Sequence, residues 1–279
     1  MTAERSSHLA GLAMLVLGAA IIGLAPILVR LSDTGPAAAG FWRLTFALPL
    51  LFLMAGRTAG GVGAPIRPAL LAGVMFALDM GFWHYGVTLT SVANATVLTN
   101  LTPVVVTLIA WLAFKQRPKA LFVAAVALAL GGAWLMAEAK GAAPAGKWPA
   151  LGDALSLVTA LWYALYLMAV GAARQRRSAA QVMFWSSLVG APLLLIAALA
   201  LGEPLTPAST GGWLACLGLG LVHVGGQGSI AWALGRLPTA TASVVVLVQP
   251  VVAALLGWTL FAERLTGLQA LGGVVALVG

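Results

Sequence analysis

Long apolar runs separated by short polar segments fill almost the whole chain. The runs are continuous and lack the alternation of apolar and polar residues that a barrel strand would have. A helix that crosses a membrane needs about 20 mostly apolar residues and satisfies its own backbone hydrogen bonds in lipid. The pattern therefore predicts ten membrane-spanning helices, at 9–29, 37–55, 68–88, 92–114, 120–136, 151–170, 180–201, 212–234, 240–261 and 268–279.

Composition supports an all-α membrane protein. The chain is 61% hydrophobic and 8% charged, whereas a soluble domain carries roughly 25% charged residues. The first run is longer than the roughly 7–15 apolar residues of a cleaved signal peptide, so we expect a retained helix. The last run is too short to cross a membrane, and we expect the natural chain to continue past Gly279 or to be trimmed there.

The basic residues carry a topology signal. The net charge of +8 comes from 15 Lys and Arg, which lie almost entirely between the apolar runs, so we expect no nucleic-acid partner. With a cytoplasmic N-terminus, ten of them fall on the cytoplasmic side and four on the other, while Arg43 lies within a span. This bias predicts a multi-pass protein of the cell inner membrane with its N-terminus in the cytoplasm.

The two halves of the chain repeat each other. A linker at 138–149 separates the first five spans (1–137) from the second five (150–279). Because five is odd, the two halves must enter the membrane in opposite directions, an arrangement typical of secondary transporters. The residues that match at constant offsets are Pro103 and Trp111 with Pro250 and Trp258, and Phe41, Trp42 and Pro49 with Phe184, Trp185 and Pro192.

Several local motifs resemble a known family. The segments 76–85 (FALDMGFWHY), 90–96 (TSVANAT), 100–103 (NLTP) and 261–263 (FAE), with the pair Gly272-Gly273, are similar to the EamA-type members of the drug/metabolite transporter superfamily. The resemblance implies ten helices in two inverted five-helix repeats and the export of amino acids or other metabolites. Within the superfamily the chain most resembles the YddG-type aromatic amino-acid exporters.

One position departs from the family pattern. The acidic residue that often follows the fourth helix is replaced here by the segment 115–117 (KQR), so no role for that carboxylate can be carried over. Glu263 retains it in the second half.

Two prolines predict matched helix breaks. A proline inside a helix removes one backbone hydrogen bond and clashes with the carbonyl four residues earlier. Pro103 should loosen the carbonyl of Thr99, and Pro250 that of Val246. Paired breaks at the same depth indicate a transport site with two hinges, although kinks that only shape packing are the alternative.

The candidate substrate site begins on the third and fourth spans. Asp79 lies near the bilayer centre, where a carboxylate must face the bundle interior. It could bind a substrate ammonium or carry a proton, or it could only form a helix-to-helix hydrogen bond, either neutral or paired with Arg43. His84 could shuttle protons or be structural. Tyr85, Thr99 and Asn100 complete this part of the site; Asn100 shares a polar stripe with Thr96, Pro103 and Thr107.

The second half contributes aromatic and amide groups. Trp162, Tyr163 and Tyr166, with Thr159, lie on one face of the sixth span, where they suit a ring-bearing substrate or core packing. The eighth span is rich in glycine around His223 and Gln227, which predicts either close helix packing or a flexible segment. Gln249, next to Pro250, could bind a zwitterion.

These observations predict a secondary transporter that exports small amphiphilic metabolites, chiefly aromatic or large apolar amino acids, by alternating access. Other metabolites of the same superfamily (nucleosides, sugar phosphates, drugs), an intramembrane lipid-modifying enzyme and a non-transporting scaffold are the alternatives. We expect no enzyme activity, cofactor or metal, because the sequence has neither a phosphate-binding loop nor a His-Glu-x-x-His motif. The expected partners are a small-molecule substrate and membrane lipid, and a monomer is compatible with the pattern.

Overall fold

The computed structural model describes residues 3–90, 92–138, 147–252, 255 and 266–278, and in these residues all regular structure is helical. The helices of the first half are α1 (Ala3–Ile22), α2 (Ala25–Arg30), α3 (Pro36–Gly56), α4 (Arg67–Leu89), α5 (Val92–Thr99), α6 (Thr102–Phe114) and α7 (Ala120–Glu138). Those of the second half are α8 (Pro149–Arg174), α9 (Ala179–Ala200), α10 (Thr210–Val222), the π-helix π1 (His223–Gln227), α11 (Gly228–Ala233), α12 (Thr239–Val245) and α13 (Gly267–Val278).

Within the described residues, six helical segments are long and apolar enough to cross a membrane by length and composition: Ser6–Val29, Pro36–Gly56, Val97–Phe114, Pro149–Arg174, Ala179–Ala200 and Thr210–Ala233. Helix is present in each of the ten predicted spans. Four of those spans, predicted as single helices, are interrupted: 9–29 and 92–114 in the first half, 212–234 and 240–261 in the second.

Helices α3 and α9 pack against each other in opposite directions. A Cβ placed on Gly40 would lie 3.0 Å from Leu194, and one on Gly190 would lie 2.8 Å from Leu44. The glycine of each helix thus packs against a leucine side chain of the other helix, and such small residues allow close helix packing in membranes. The first-half helix faces its second-half counterpart, which is the geometry of an inverted repeat.

The N-terminus of α3 is held by the loop that follows α9. The amide of Ala38 donates to the Glu203 carboxylate (3.0 Å), and the indole of Trp42 donates to the carbonyl of Leu205 (2.8 Å). The carboxylate suits this position because the first amides of a helix have no partner within the helix. We call this group of contacts the α3 clasp.

The N-terminus of α9 is held in the equivalent way by the loop that follows α3. The side-chain amide of Gln181 donates to the carbonyl of Gly61 (2.6 Å), and the indole of Trp185 donates to that of Val62 (3.4 Å). We call this the α9 clasp. Because α3 and α9 are antiparallel and about 30 Å long, the two clasps lie at opposite ends of the bundle.

The third span of each half packs on the first span of the other half. In one pair, Gly86 of α4 lies against Ser156 of α8, and Thr90 donates to the carboxylate of Asp153 (2.6 Å). In the other pair, the backbones of Gly18 in α1 and Gly226 in π1 are in close contact. The two halves are therefore interlocked, and both contribute to the centre.

We predict that Gly73→Ala destabilises the protein by about 1–3 kcal/mol, the usual cost of adding atoms to a packed site. A methyl group at this position in α4 would overlap the carbonyl oxygen of Ser186 in α9 and lie 2.8 Å from Cβ of Val189. Thermal unfolding of the purified protein measures the effect. Gly81→Ala in the same helix is the matched control, because no atom lies within 4 Å of its added methyl group. Equal melting temperatures for the two variants would contradict the α4–α9 packing.

Candidate functional site

A buried cluster of aromatic and polar side chains lies where the two halves meet. The Phe76 ring of α4 is at its centre, with ring centroids 5.0 Å from Tyr166 of α8 and 5.3 Å from His223 of π1. The guanidinium carbon of Arg43 in α3 lies 5.5 Å from the Phe76 centroid, within the range of a cation–π interaction. We call these residues, together with Asp79, Tyr163, Gln227 and Gln249, the central cluster.

Arg43 and Asp79 are the charged members of the central cluster. Each side chain is only 4% exposed, and the two interact electrostatically. A charge at the centre of a span costs roughly 2.5–3.5 kcal/mol even by insertion scales, so such residues face the protein interior. The sequence left open whether Asp79 faces Arg43, and the structure brings the two into one cluster.

Tyrosine hydroxyls connect α8 to the π-helix. The rings of Tyr163 and Tyr166 are stacked with centroids 5.8 Å apart, and the Tyr166 hydroxyl donates to the side-chain oxygen of Gln227 at 3.5 Å. The Tyr163 hydroxyl lies near the side chains of Gln227 and Gln249, although it forms no hydrogen bond of normal geometry. Four of the predicted site residues are thus brought together.

The π-helix orients the polar groups of the eighth span. His223 is buried and shares a hydrogen bond with the Ser187 hydroxyl of α9 (Nε2 to Oγ, 3.1 Å). In the same turn, Gly226 allows the close approach of α1. The predicted close packing at the glycines is therefore present at Gly226. The π-helix itself was not predicted, and such turns occur frequently at functional sites.

Trp162 lies beside the central cluster on the same face of α8. Its ring packs on Phe82 of α4 with centroids 6.0 Å apart. Thr159, one turn earlier, donates its hydroxyl to the carbonyl of Leu155 within the helix (3.0 Å). Trp162 therefore extends the aromatic wall toward one end of the cluster, whereas Thr159 makes a local helical hydrogen bond.

The first predicted helix break lies between α5 and α6. Helix α5 ends at Thr99, and α6 begins at Thr102 with Pro103 in its first turn. The Thr99 carbonyl accepts a hydrogen bond from the Thr102 hydroxyl (2.9 Å), which replaces a backbone donor. The break in the helix predicted from Pro103 is therefore present, and Asn100 lies in it.

The second break occupies the equivalent place in the other half. Helix α12 ends at Val245, residues 246–247 form a turn, and the backbone becomes helical again at residues 248–252, around Pro250. The amide of Gln249 donates to the Val246 carbonyl (3.0 Å). Both halves are thus interrupted just before their matched prolines.

Seven buried polar atoms have no hydrogen-bond partner in the protein, within the part of the chain that the structure describes. Most of them belong to predicted site residues. They are Nε and Nη2 of Arg43, Nδ2 of Asn100, Nε1 of Trp162, Oη of Tyr163, Nδ1 of His223 and Nε2 of Gln249. Because buried polar atoms in folded proteins are almost always paired, these atoms are the ones that the protein leaves without a partner, and they make the group a candidate site.

Tyr85 occupies a different place from the one we expected. Its hydroxyl donates to the Glu203 carboxylate at 2.7 Å, so the side chain joins the α3 clasp. A substrate contact for Tyr85 stays a prediction. Other predicted positions lie outside the part of the chain that the structure describes. They are the side chains of His84 and Thr96, and the residues Trp258 and Glu263.

Sequence reasoning missed three residues that the structure brings into or next to these groups. Arg43 was considered only as a partner for Asp79, although its place within an apolar span is the signal that could have identified it. Ser187, one helical turn beyond the Phe184–Trp185 pair, carries no signal. Glu203 follows the seventh span directly, and an acidic residue at the end of a span could have been examined as a helix cap for a neighbouring helix.

Comparisons with known proteins agree with this architecture. The model of the EamA-like transporter family matches residues 9–137 and again residues 150–279. A protein of Archaeoglobus fulgidus described as an uncharacterized transporter is 27% identical over 270 residues, covering 96% of this chain and 94% of its own. A solved crystal structure has a TM-score of 0.78 at 19% identity and covers 99% of this chain and 96% of its own, which shows the fold alone.

The two interlocked, oppositely directed halves and their shared buried cluster define a multi-pass membrane transporter. Because the family model covers nearly the whole of both halves, the chain belongs to the EamA-like transporter family, within the drug/metabolite transporter superfamily. The family and the archaeal relative indicate a transporter rather than an enzyme.

We predict that Glu203→Ala lowers the free energy of unfolding by about 1–2 kcal/mol, because it removes a helix cap and a charged hydrogen bond together. Its carboxylate accepts from Ala38 through one oxygen and from Tyr85 through the other. Glu203→Gln is the matched variant, since an amide retains one acceptor oxygen, and it should lose roughly half as much. Thermal unfolding compares the three proteins, and two unaffected variants would contradict the α3 clasp.

Proposed function

We propose that the protein exports small amphiphilic metabolites from the cytoplasm, with aromatic and large apolar amino acids as its main substrates. The observation that carries this proposal is the central cluster, which combines stacked aromatic rings with buried charges between two inverted halves. An aromatic wall suits a ring-bearing side chain, and Asp79 can bind an ammonium group. The resemblance to the YddG-type exporters supports the same substrate class.

We further propose that transport proceeds by alternating access. The α3 clasp and the α9 clasp lie at opposite ends of the bundle and join the same two halves, so releasing one while the other holds would open one side of the central cluster. The breaks at Pro103 and Pro250 supply matched hinges for this rocking. The proposal includes facilitated diffusion without a coupled ion. The sequence offers few candidate proton carriers within the spans, namely Asp79 and the histidines.

Counterflow in proteoliposomes tests this function. Vesicles that contain unlabelled phenylalanine should take up labelled phenylalanine transiently, because exchange requires the site to face each side in turn. Empty vesicles should show no such overshoot. Uptake should be the same with and without an imposed proton gradient, and accumulation that follows the gradient would defeat facilitated diffusion. No overshoot with any common amino acid would defeat the substrate class.

We predict that Trp162→Ala reduces counterflow by about tenfold or more, since a loss of about 1.4 kcal/mol of binding is already a tenfold effect. The change removes an unpaired buried donor and an aromatic face at the central cluster. Trp134→Ala is the matched control, because the Trp134 side chain in α7 is 50% exposed on the protein surface. Equal loss in both variants, or in neither, would argue against a substrate contact at Trp162.

The proposed orientation places the N-terminus in the cytoplasm and the α3 clasp outside. Exposed alanines on the two connecting loops allow a direct test, and the native Cys216 is buried. We predict that a membrane-impermeant thiol reagent labels Ala208→Cys in intact cells. Ala59→Cys should be labelled only after permeabilisation. The reverse result would contradict the proposed orientation and place the α9 clasp outside.

A further inference from the structure

We propose that Arg43 is the receptor for a substrate carboxylate, so that the transported compounds are monocarboxylates with an aromatic or apolar body. The inference rests on the proposed function in taking the central cluster as the substrate site. It adds the residue that recognises the anionic group and the charge of the compounds that fit.

The unpaired atoms in and beside the central cluster are mainly donors. Arg43 and Trp162 contribute three buried nitrogens without a partner, and each of these can only donate a hydrogen bond. The side-chain amide of Gln249 adds one unpaired buried nitrogen. A ligand that satisfies this set must present acceptor oxygens.

The geometry of the unpaired guanidinium atoms favours a carboxylate. Nε and Nη2 of Arg43 form one edge of the planar group, and the N–H bonds along this edge point in the same direction. Such an edge binds both oxygens of a carboxylate through two parallel hydrogen bonds. The contact of the guanidinium with the face of Phe76 leaves both nitrogens of this edge without a hydrogen-bond acceptor.

The charges nearby set a limit of one negative charge. Arg43 is the one guanidinium or ammonium group among the residues of the central cluster, so it can balance one negative charge on a ligand. A phosphate monoester is therefore disfavoured. An amino acid fits well, because its carboxylate can bind Arg43 while its ammonium group faces Asp79, and Tyr163 with Tyr166 can contact the ring.

Arg43 has no counterpart in the other half. The offset that aligns Phe41 with Phe184 aligns Arg43 with Ser186, whose hydroxyl donates to the carbonyl of Met183 in its own helix (3.1 Å). Two-fold packing of α3 and α9 thus does not require a charge here. Ser186→Ala consequently serves as the matched control for a change at the equivalent place in the fold.

Ligand-induced thermal stabilisation of the detergent-purified protein tests the assignment without requiring transport. The probes are phenylalanine, 3-phenylpropionate, phenylalanine amide, phenethylamine and phenyl phosphate. We expect the two carboxylates to raise the melting temperature of the wild type and the Ser186→Ala variant. The other three should need concentrations about tenfold higher or more, since a hydrogen bond to a charged group is worth about 1.5–3 kcal/mol.

Arg43→Gln should raise the phenylalanine concentration needed for half of the shift by about ten- to a hundredfold and abolish the preference over the amide. Arg43→Lys keeps the positive charge but loses the two parallel N–H donors, so its half-shift concentration should lie between those of the wild type and Arg43→Gln. The double variant Arg43→Gln/Asp79→Asn tests the alternative that Arg43 serves only to neutralise Asp79. If the neutral pair regained the preference for carboxylates, the assignment would be wrong.

The outcomes for this inference and for the proposed function are separable. Stabilisation by carboxylates that depends on Arg43, without counterflow of any amino acid, would overturn the transport proposal and leave the carboxylate site standing. Counterflow of amino acids, together with equal affinity for phenylalanine and phenylalanine amide, would support the transport proposal and overturn the carboxylate assignment. A wild type that no carboxylate stabilises, or that phenyl phosphate stabilises equally, also overturns the carboxylate assignment.

Discussion

The structure depends on how polar groups buried inside a lipid-embedded bundle find partners. Lipid offers no hydrogen bonds, so an unsatisfied group costs several kcal/mol. At the two clasps this demand is met: each indole, Trp42 and Trp185, reaches a backbone carbonyl of the opposite half. In and beside the central cluster it is not met, because donors of Arg43 and Trp162 lack acceptors within the protein. The two halves are thus joined by satisfied polar contacts at the ends, whereas the centre keeps unpaired donors.

Inverted symmetry explains the frame but not the chemistry. The clasps, the reciprocal glycine–leucine contacts of α3 and α9 and the breaks before Pro103 and Pro250 all occur as pairs, so the two halves present equivalent contacts at the two ends of the bundle. The central cluster breaks this symmetry, since Arg43 stands opposite Ser186 in the repeat. The helix contacts therefore follow the repeat, whereas the side chains at the centre do not.

Local signals in the sequence predicted the frame, and long-range contacts decided the site. Apolar runs located the helices, since burial in lipid leaves a signal at every position of a span. The matched prolines predicted both breaks, because the lost backbone hydrogen bond is a property of the residue itself. The neighbours of Arg43 come from helices that lie far apart in sequence, and no spacing rule reports them. Tyr85 was expected at the substrate site because its position in the third span says nothing about Glu203.

The π-helix shows how packing can fix what the local sequence leaves open. A glycine-rich segment is compatible with both α and π turns, and π turns are rare because their hydrogen bonds are less favourable. Here Gly226 of π1 meets the backbone of Gly18, which leaves no room for a side chain. In the same turn, His223 contacts both Ser187 and Phe76. Contacts with three other helices thus surround the turn, so close packing and the placement of polar groups near the centre occur together in this helix.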